Sequence, residues 1–170
     1  IDFELKSTDN EIVKLNDFKG ENGTLIMFIC NHCPYVKAII DDIVADCKNL
    51  KEMDIKSLAI CSNDPINHPD DSFENMIKFA NDNQFTFSYL HDYTQKIAKS
   101  YEDVCTPDFF GYNKNLEIQY RGRLRELKKF VPVNDGESDL LKAMKQIAET
   151  NNGPREQIPS AGCGIKWKYD

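Results

Sequence analysis

The stretch that decides the fold reads Thr24-Leu25-Ile26-Met27-Phe28-Ile29-Cys30-Asn31-His32-Cys33-Pro34-Tyr35-Val36. Residues 24–30 form an almost continuous apolar run, which predicts a buried central strand. From residue 36 to residue 50 apolar side chains recur at helical spacing, so an amphipathic helix begins near Cys33. Pro34 stands where a first helical turn tolerates proline. Two cysteines therefore lie where a buried strand is followed by a helix.

Apolar patterns on both sides of this stretch predict the other elements. They are a hairpin of residues 3–5 and 12–15, a helical turn capped by Asp17, a strand at 55–61, a helix whose capping box runs from Asp71 to Glu74 with Asp71 as the cap, a strand at 86–90, a helix at 93–101, a hairpin of residues 109–112 and 117–121, and a helix at 140–148. Strands joined by helical crossovers pair in parallel, and the hairpins add antiparallel strands. The sequence therefore predicts an α/β sandwich with a mixed central sheet.

Length and charge limit the possible functions. The chain has 170 residues and a formal net charge of −7, which favours one domain and argues against a general partner in nucleic acid or a membrane surface. We expect a domain at 1–153 and a tail at 154–170 packed on the same domain. Five basic residues cluster and are interpreted as a solvated face; they are Arg121, Arg123, Arg125, Lys128 and Lys129.

The cysteine pattern indicates a compartment as well as a site. Of six cysteines only Cys30 and Cys33 are close together, and the scattered others do not form the dense pattern of a secreted disulfide scaffold. Several such thiols suit a reducing compartment, so a cytoplasmic location is expected. The chain begins with Ile1 rather than Met, which leaves a processed, periplasmic form open.

The position of the Cys-x-x-Cys pair points to redox chemistry. Reactive groups of open α/β sheets gather at the carboxyl ends of strands, so Cys30 is expected to be reachable. A helix N-terminus stabilises a thiolate, and a second thiol at this spacing can close an intramolecular disulfide. His32, if protonated, would favour the thiolate further. An untuned loop histidine is the alternative reading.

A second motif supports redox chemistry, and the ligand patterns of zinc and of covalently bound haem are missing. The loop at Thr106-Pro107 should lie beside the helix N-terminus, where a cis proline would present its backbone to an extended substrate. Zinc needs four donors, and His68 and His91 are isolated. Covalent haem needs His directly after the second cysteine, where this chain has Pro34. We therefore predict no metal and no cofactor.

Together these motifs resemble the thioredoxin superfamily. Residues 28–37 and the tail segment 159–168 are similar to bacterial peroxiredoxin-like members of that superfamily, and residues 15–20 resemble the opening segment of peroxiredoxins and of membrane-tethered thioredoxin-like reductases. The resemblance implies a thioredoxin-like three-layer sandwich, with helices on both faces of the mixed sheet and an N-terminal β-hairpin. It also implies that Cys30 is the attacking thiol, that Cys33 resolves the mixed disulfide, and that Pro107 is cis.

Peroxiredoxins suggest another alignment, in which Cys33-Pro34 matches their peroxide-reacting cysteine. Cys30 then replaces their threonine, and no arginine occurs in residues 105–108, so dithiol exchange is favoured over peroxidase activity. Cys163, in a glycine-rich tail, is a candidate third redox thiol or a packed cysteine, because flexible glycine segments can bring distant thiols together.

The sequence thus predicts a thiol–disulfide oxidoreductase using Cys30 and Cys33, with His32, Thr106 and Pro107 tuning the site or binding substrate. Its partner would be a disulfide-containing protein or a small thiol. A thiol peroxidase acting on peroxide is the alternative enzyme, and a non-enzymatic redox or metal-binding module is the alternative of another class. The redox direction, the physiological partner and the oligomeric state are left open.

Overall fold

The computed structural model describes residues 2–103 and 105–169. Its strands are β1 (Glu4–Ser7), β2 (Ile12–Lys14), β3 (Gly23–Phe28), β4 (Ile55–Cys61), β5 (Ser88–His91), β6 (Cys105–Thr106), β7 (Asp108–Tyr112), β8 (Ile118–Gly122), β9 (Leu127–Lys128), β10 (Val131–Pro132) and β11 (Cys163–Gly164). Its helices are α1 (Leu15–Phe18), α2 (Pro34–Lys37), α3 (Ile40–Glu52), α4 (Phe73–Asp82), α5 (Lys96–Ser100) and α6 (Asp139–Thr150), with a 3₁₀ turn at Pro69–Asp71.

Seven strands form one mixed sheet in the order β2-β1-β5-β4-β3-β7-β8. β3 and β5 both pair with β4 in parallel, whereas β7 pairs antiparallel with β3 and with β8. The N-terminal hairpin of β1 and β2 extends the sheet antiparallel to β5. The predicted mixed sheet and both predicted hairpins are confirmed.

Helices cover both faces of this sheet. Every residue of β3 is buried because its alternate side chains enter two different cores. Leu25 and Met27 pack in the core under α3, α4 and α6, while Ile26 and Phe28 pack in the core beside α1 and α5. The three-layer sandwich expected from the sequence is therefore the observed architecture.

Two predicted helix caps are wrong. Asp17 lies inside the first turn of α1, whose N-cap is Lys14. Ser72, not Asp71, caps α4, because the Ser72 hydroxyl accepts the Asn75 N–H at 3.1 Å. Both sequence windows contained a good capping residue, but tertiary contacts selected the position at which the helix begins.

The helix expected to begin near Cys33 is divided into two. α2 ends at Lys37, and α3 begins after Ile39, whose N–H bonds to the Val36 carbonyl three residues back at 3.1 Å. This tight turn places Val36, Ile39 and Ile43 in the same core. Further along the chain, α5 begins at Lys96 rather than at Tyr93, because Gln95 has a left-handed backbone with φ 66°.

The C-terminal segment lies against the rest of the structure. Ile158 accepts the Arg123 N–H at 2.9 Å, β11 pairs antiparallel with β6, and the Lys166 carbonyl accepts the Asp64 N–H at 2.8 Å. The expected division of the chain into a domain at 1–153 and a tail at 154–170 stays a prediction. Residues 1 and 170, at the ends of these two segments, lie outside the described part. None of the helices within 2–103 and 105–169 is long and apolar enough to cross a membrane.

Candidate active site

The two close cysteines lie between β3 and α2, as predicted. Cys30 follows the end of β3 by two residues, and Cys33 is the N-cap of α2 with an extended backbone. Both are only 1 % exposed, so the expectation that Cys30 is reachable is wrong for this conformation. The loop between them is held inward, since the Asn31 side chain accepts the Tyr89 hydroxyl at 2.8 Å.

Thr106 contacts both thiols of this pair. Its hydroxyl lies 3.4 Å from Cys30 Sγ, and its carbonyl oxygen accepts a hydrogen bond from Cys33 Sγ at 3.4 Å. The Thr106–Pro107 peptide bond is cis, which confirms that implication of the resemblance. The predicted juxtaposition of this loop with the Cys-x-x-Cys motif is also confirmed.

Cys163 reaches the same place from the tail. In the antiparallel pairing of β11 with β6, Cys163 lies opposite Thr106. The thiol and the backbone N–H of Cys163 both lower the pKa of the Cys33 thiol. Cys33 therefore has two thiol neighbours, Cys30 and Cys163.

These contacts make the two thiols of the motif unequal. The hydrogen bond from the Cys30 thiol lowers the pKa of Cys33, and donors on Cys163 and the Val36 N–H lower it further. The same bond to Cys33, together with burial and the Asp71 carboxylate, raises the pKa of Cys30. These surroundings favour the thiolate at Cys33, whereas the resemblance implied that Cys30 attacks; the attacking role of Cys30 stays a prediction.

Asp71 is the site residue that sequence reasoning missed. Its carboxylate is fully buried and accepts the Asn31 N–H at 2.8 Å and the Asn63 side-chain amide at 2.9 Å. Asp71 Oδ2 also lies 2.7 Å from Nδ1 of His32, whose side chain is 30 % exposed. His32 is thus held by a buried carboxylate, which supports a tuning role over a free loop histidine.

The family follows from a comparison that covers most of the chain. The model of the AhpC/TSA family matches residues 1–127. This chain belongs to the AhpC/TSA family. No protein of curated function matches it.

Solved structures similar to this AhpC/TSA-family chain have the same fold. An uncharacterized conserved protein from Geobacillus kaustophilus is 38 % identical with a TM-score of 0.90, over 100 % of this chain and 90 % of its own. A hypothetical protein from Sinorhizobium meliloti 1021 is 29 % identical with a TM-score of 0.92, over 100 % and 93 %. A secreted disulfide oxidoreductase of Mycobacterium tuberculosis is 14 % identical with a TM-score of 0.59, over 69 % and 80 %. The thioredoxin-like fold is confirmed.

An open groove adjoins the cysteines of this AhpC/TSA-family protein. It encloses about 340 Å³, and its apolar lining includes Tyr35, Pro107, Phe109 and Phe130. Phe130 contacts Tyr35 edge to face, with ring centroids 4.9 Å apart. The groove thus extends from the residues next to Cys33 towards the β9–β10 hairpin.

The predicted basic face is partly committed to ion pairs. Arg121 binds Asp108 at 3.2 Å, Arg123 binds Asp139 at 2.8 Å and Arg125 binds Asp42 at 3.0 Å; only Lys128 and Lys129 of the five are exposed. The interpretation as a solvated face is wrong for Arg125, whose side chain is 8 % exposed, because Asp42 folds against it from a distant part of the sequence.

Two groups of side chains within the described residues have donors close enough for a metal ion. Each has ligand atoms within 4.8 Å of one another; the groups are Cys30, His32 and Asp71, and Asp103, Cys105 and Asp108. Each offers three donors, whereas a structural zinc site takes four. In the first group the Asp71 carboxylate is already an acceptor for Asn31 and Asn63. The site is therefore better suited to thiol chemistry than to holding zinc.

Three of the remaining cysteines are unsuited to disulfide exchange. Cys47 and Cys61 are buried in the core, and burial raises the pKa of each thiol to about 12. Burial, with Asp108 and Asp103 nearby, also raises the pKa of half-buried Cys105 to about 12. These three thiols remain protonated near neutral pH and are poor nucleophiles.

Proposed function

We propose that this AhpC/TSA-family protein is a thiol–disulfide oxidoreductase whose redox couple is the Cys30–Cys33 dithiol and its disulfide. The observation that carries the proposal is the placement of both thiols against Thr106 at the N-terminus of α2, with Cys30 Sγ 3.4 Å from its hydroxyl and Cys33 Sγ 3.4 Å from its carbonyl oxygen. One group of such a pair is poised as a thiolate while the other keeps its proton. Membership of the AhpC/TSA family supports redox thiol chemistry in general, and the dithiol exchange is the specific form proposed.

The inequality of the thiols assigns the order of events. The Cys33 thiolate attacks one sulfur of a substrate disulfide, forming a mixed disulfide and expelling the other sulfur as a thiolate. Cys30 then attacks Cys33 Sγ, forming the Cys30–Cys33 disulfide and releasing the second substrate sulfur as a thiolate. The proton lost by Cys30 passes to a departing thiolate. The substrate gains two electrons and the dithiol loses two.

The surroundings supply three kinds of assistance. Thr106 contacts Cys30 Sγ through its hydroxyl and, while Cys33 keeps its proton, Cys33 Sγ through its carbonyl. His32 lies within the motif, half-buried and oriented by Asp71, where an imidazole can exchange protons with the reacting groups. The groove next to Pro107 accommodates a segment of a disulfide-containing protein, the substrate class proposed here; small disulfides are the alternative class.

The proposal is tested by insulin-disulfide reduction with dithiothreitol as the electron donor. We compare Cys33→Ser and Cys30→Ser with the parent, and Cys47→Ser serves as the control for loss of a buried thiol. The rate should fall to that of dithiothreitol alone for Cys33→Ser and should fall below that of the parent for Cys30→Ser, in which one half of the couple is missing. Parent-like rates in both variants would overturn the proposed function.

Trapping distinguishes the roles of the two thiols. Cys30→Ser combined with Cys163→Ser should hold a mixed disulfide between Cys33 and a substrate, because neither neighbouring thiol remains to resolve it. If only Cys33→Ser trapped substrate, through Cys30, the order of attack would be the reverse of the one proposed. Peptide mapping of the trapped species identifies the cysteine that carries the adduct.

A thiol peroxidase is the second candidate function. It is favoured by the thiolate position at Cys33-Pro34, which is the position of the peroxide-reacting cysteine in the peroxiredoxin alignment. Against it, Cys30 stands in place of the threonine, and no arginine occurs in residues 105–108. Stopped-flow reaction of the reduced protein with hydrogen peroxide decides between them: a rate no faster than that of a free thiol excludes the peroxidase.

A further inference from the structure

We propose that Cys163 is a third redox thiol, which forms a second disulfide with Cys33 and is the point at which an external dithiol reduces the oxidised protein. This inference rests on the proposed function of the Cys30–Cys33 couple. It deepens that function by assigning the two exchange steps to different thiols. Cys33 would accept either of two disulfide partners.

The backbone of the tail approaches Thr106 closely, which brings Cys163 near Cys30 and Cys33. A Cβ atom on Gly162 would lie 2.2 Å from the Thr106 carbonyl oxygen, so only glycine permits this approach of the two strands. Cys163, the next residue, lies opposite Thr106 and packs against the core that contains Cys30 and Cys33. Thr106 itself contacts both of those thiols.

The segment that follows Cys163 is anchored rather than loose. Ile165 is only 6 % exposed and packs in the core beside α5. The Lys166 N–H donates to the Asn63 side chain at 2.9 Å, and the Lys166 carbonyl accepts from Asp64 and from the Gln95 side chain. The expectation that flexible glycines bring Cys163 to the site is therefore replaced by a fixed position next to Cys33.

The three thiols differ in their exposure to solvent. Cys30 and Cys33 are each 1 % exposed, whereas Cys163 is half-buried. In this conformation Cys163 is the most exposed of the three thiols, so an incoming dithiol meets it first. A Cys33–Cys163 disulfide would thus place the bond that is to be reduced nearer to the surface than the Cys30–Cys33 disulfide does.

The proposed sequence of exchanges is balanced. In the oxidised protein Cys163 attacks Cys33 Sγ, the Cys33–Cys163 bond forms, and Cys30 leaves and takes the proton that Cys163 loses. No net oxidation accompanies this step. An external dithiol then attacks Cys163 Sγ and expels Cys33 as a thiolate. The second thiol of the external dithiol closes its own disulfide and releases Cys163, so two electrons enter the protein.

The test is direct mapping of disulfides after oxidation with glutathione disulfide. Free thiols are blocked with N-ethylmaleimide in acid, and tryptic peptides are analysed without reduction. Cleavage after Lys19, Lys37, Arg155 and Lys166 leaves Cys30 and Cys33 together in peptide 20–37 and Cys163 in peptide 156–166. A covalent link between these peptides reports the second disulfide.

Variants separate this inference from the proposed function. Cys30→Ser should give the 20–37 to 156–166 link quantitatively, and Cys163→Ser should give only the Cys30–Cys33 disulfide. Cys163→Ser should slow steady-state turnover with a protein dithiol as reductant far more than it slows the first turnover with insulin, because only the steady state needs the third thiol. Cys105→Ser, which removes another half-buried thiol, should keep both rates. Absence of the link in Cys30→Ser overturns the third-thiol inference, whereas loss of insulin reduction in the parent overturns the proposed function.

Discussion

Asp71 Oδ2 lies 2.7 Å from Nδ1 of His32, and this carboxylate is buried beneath the loop that carries both reactive cysteines. Asn31 and Asn63 also donate to it, so its charge is well solvated by the protein. The same charge opposes ionisation of Cys30. Asp71 thus orients His32 on one side and, on the other, adds to the effect of the Cys33 thiol and of burial in raising the pKa of Cys30.

Replacing Asp71 by Asn should lower the pKa of Cys30, because the variant removes the carboxylate that disfavours a thiolate there. The measurement is the rate of Cys30 alkylation as a function of pH in a Cys33→Ser background, and its midpoint should move to lower pH. We also expect a loss of about 1–3 kcal/mol in stability, since buried hydrogen bonds are weakened. Asp70→Asn makes the same charge change at the adjacent exposed position and should leave the midpoint in place.

A buried acid pair predicts an unusual dependence of stability on pH. Asp103 is 1 % exposed, and burial, followed by a hydrogen bond and repulsion from Asp108, raises its pKa from 3.8 to about 9. Between these values the folded protein keeps a proton that the unfolded chain releases. The free energy of unfolding should therefore fall as pH rises through this window, by up to about 1.4 kcal/mol per pH unit from this group.

Asp103→Asn should remove that slope and stabilise the protein more at pH 8 than at pH 6. Urea unfolding at the two pH values measures the difference. The control is Asp135→Asn, a change of charge in an exposed loop, which should leave the slope of the parent. A slope that persists in Asp103→Asn would mean that another group takes up the proton.

The parts of the fold that depend on local patterns were predictable. β3, the following amphipathic helices and the β7–β8 hairpin are each encoded by apolar spacing within one short window. The cis peptide bond before Pro107 followed from the family resemblance. By contrast, the β9–β10 hairpin was missed. Each of its strands has only two residues, which is too short to show an alternation of apolar and polar side chains.

The chemistry of the site was less predictable because it depends on residues distant in sequence. Asp71 matched a helix cap within its own window, and only the fold places its carboxylate beneath Asn31, 40 residues earlier. The thiolate preference of Cys33 likewise depends on donors from Cys163 in the tail. Spacing identified the reactive pair but carried no information on which thiol would receive those hydrogen bonds.

Gly162→Ala should separate the tail from the active site without unfolding the domain. The added Cβ would meet the Thr106 carbonyl at 2.2 Å, so β11 must move away, at a cost of about 1–3 kcal/mol. In a Cys30→Ser background the Cys33–Cys163 disulfide should then form slowly or not at all. Gly136→Ala, where the nearest atom would be 4.0 Å away, should form it at the parent rate.

The groove makes a prediction about substrate size. The Phe130 ring is 48 % exposed and packs edge to face on Tyr35 at the end of the groove, where a protein substrate would contact it. Phe130→Ala should raise KM for a protein disulfide about fivefold, which corresponds to roughly 1 kcal/mol of lost contact, and should leave kcat unchanged. KM for glutathione disulfide should not change, because a small molecule reaches Cys33 without this ring. Ile118→Ala removes a side chain of similar exposure on β8 and should alter neither KM nor kcat. An equal rise in KM for both substrates in Phe130→Ala would indicate a disturbed site rather than a lost docking contact.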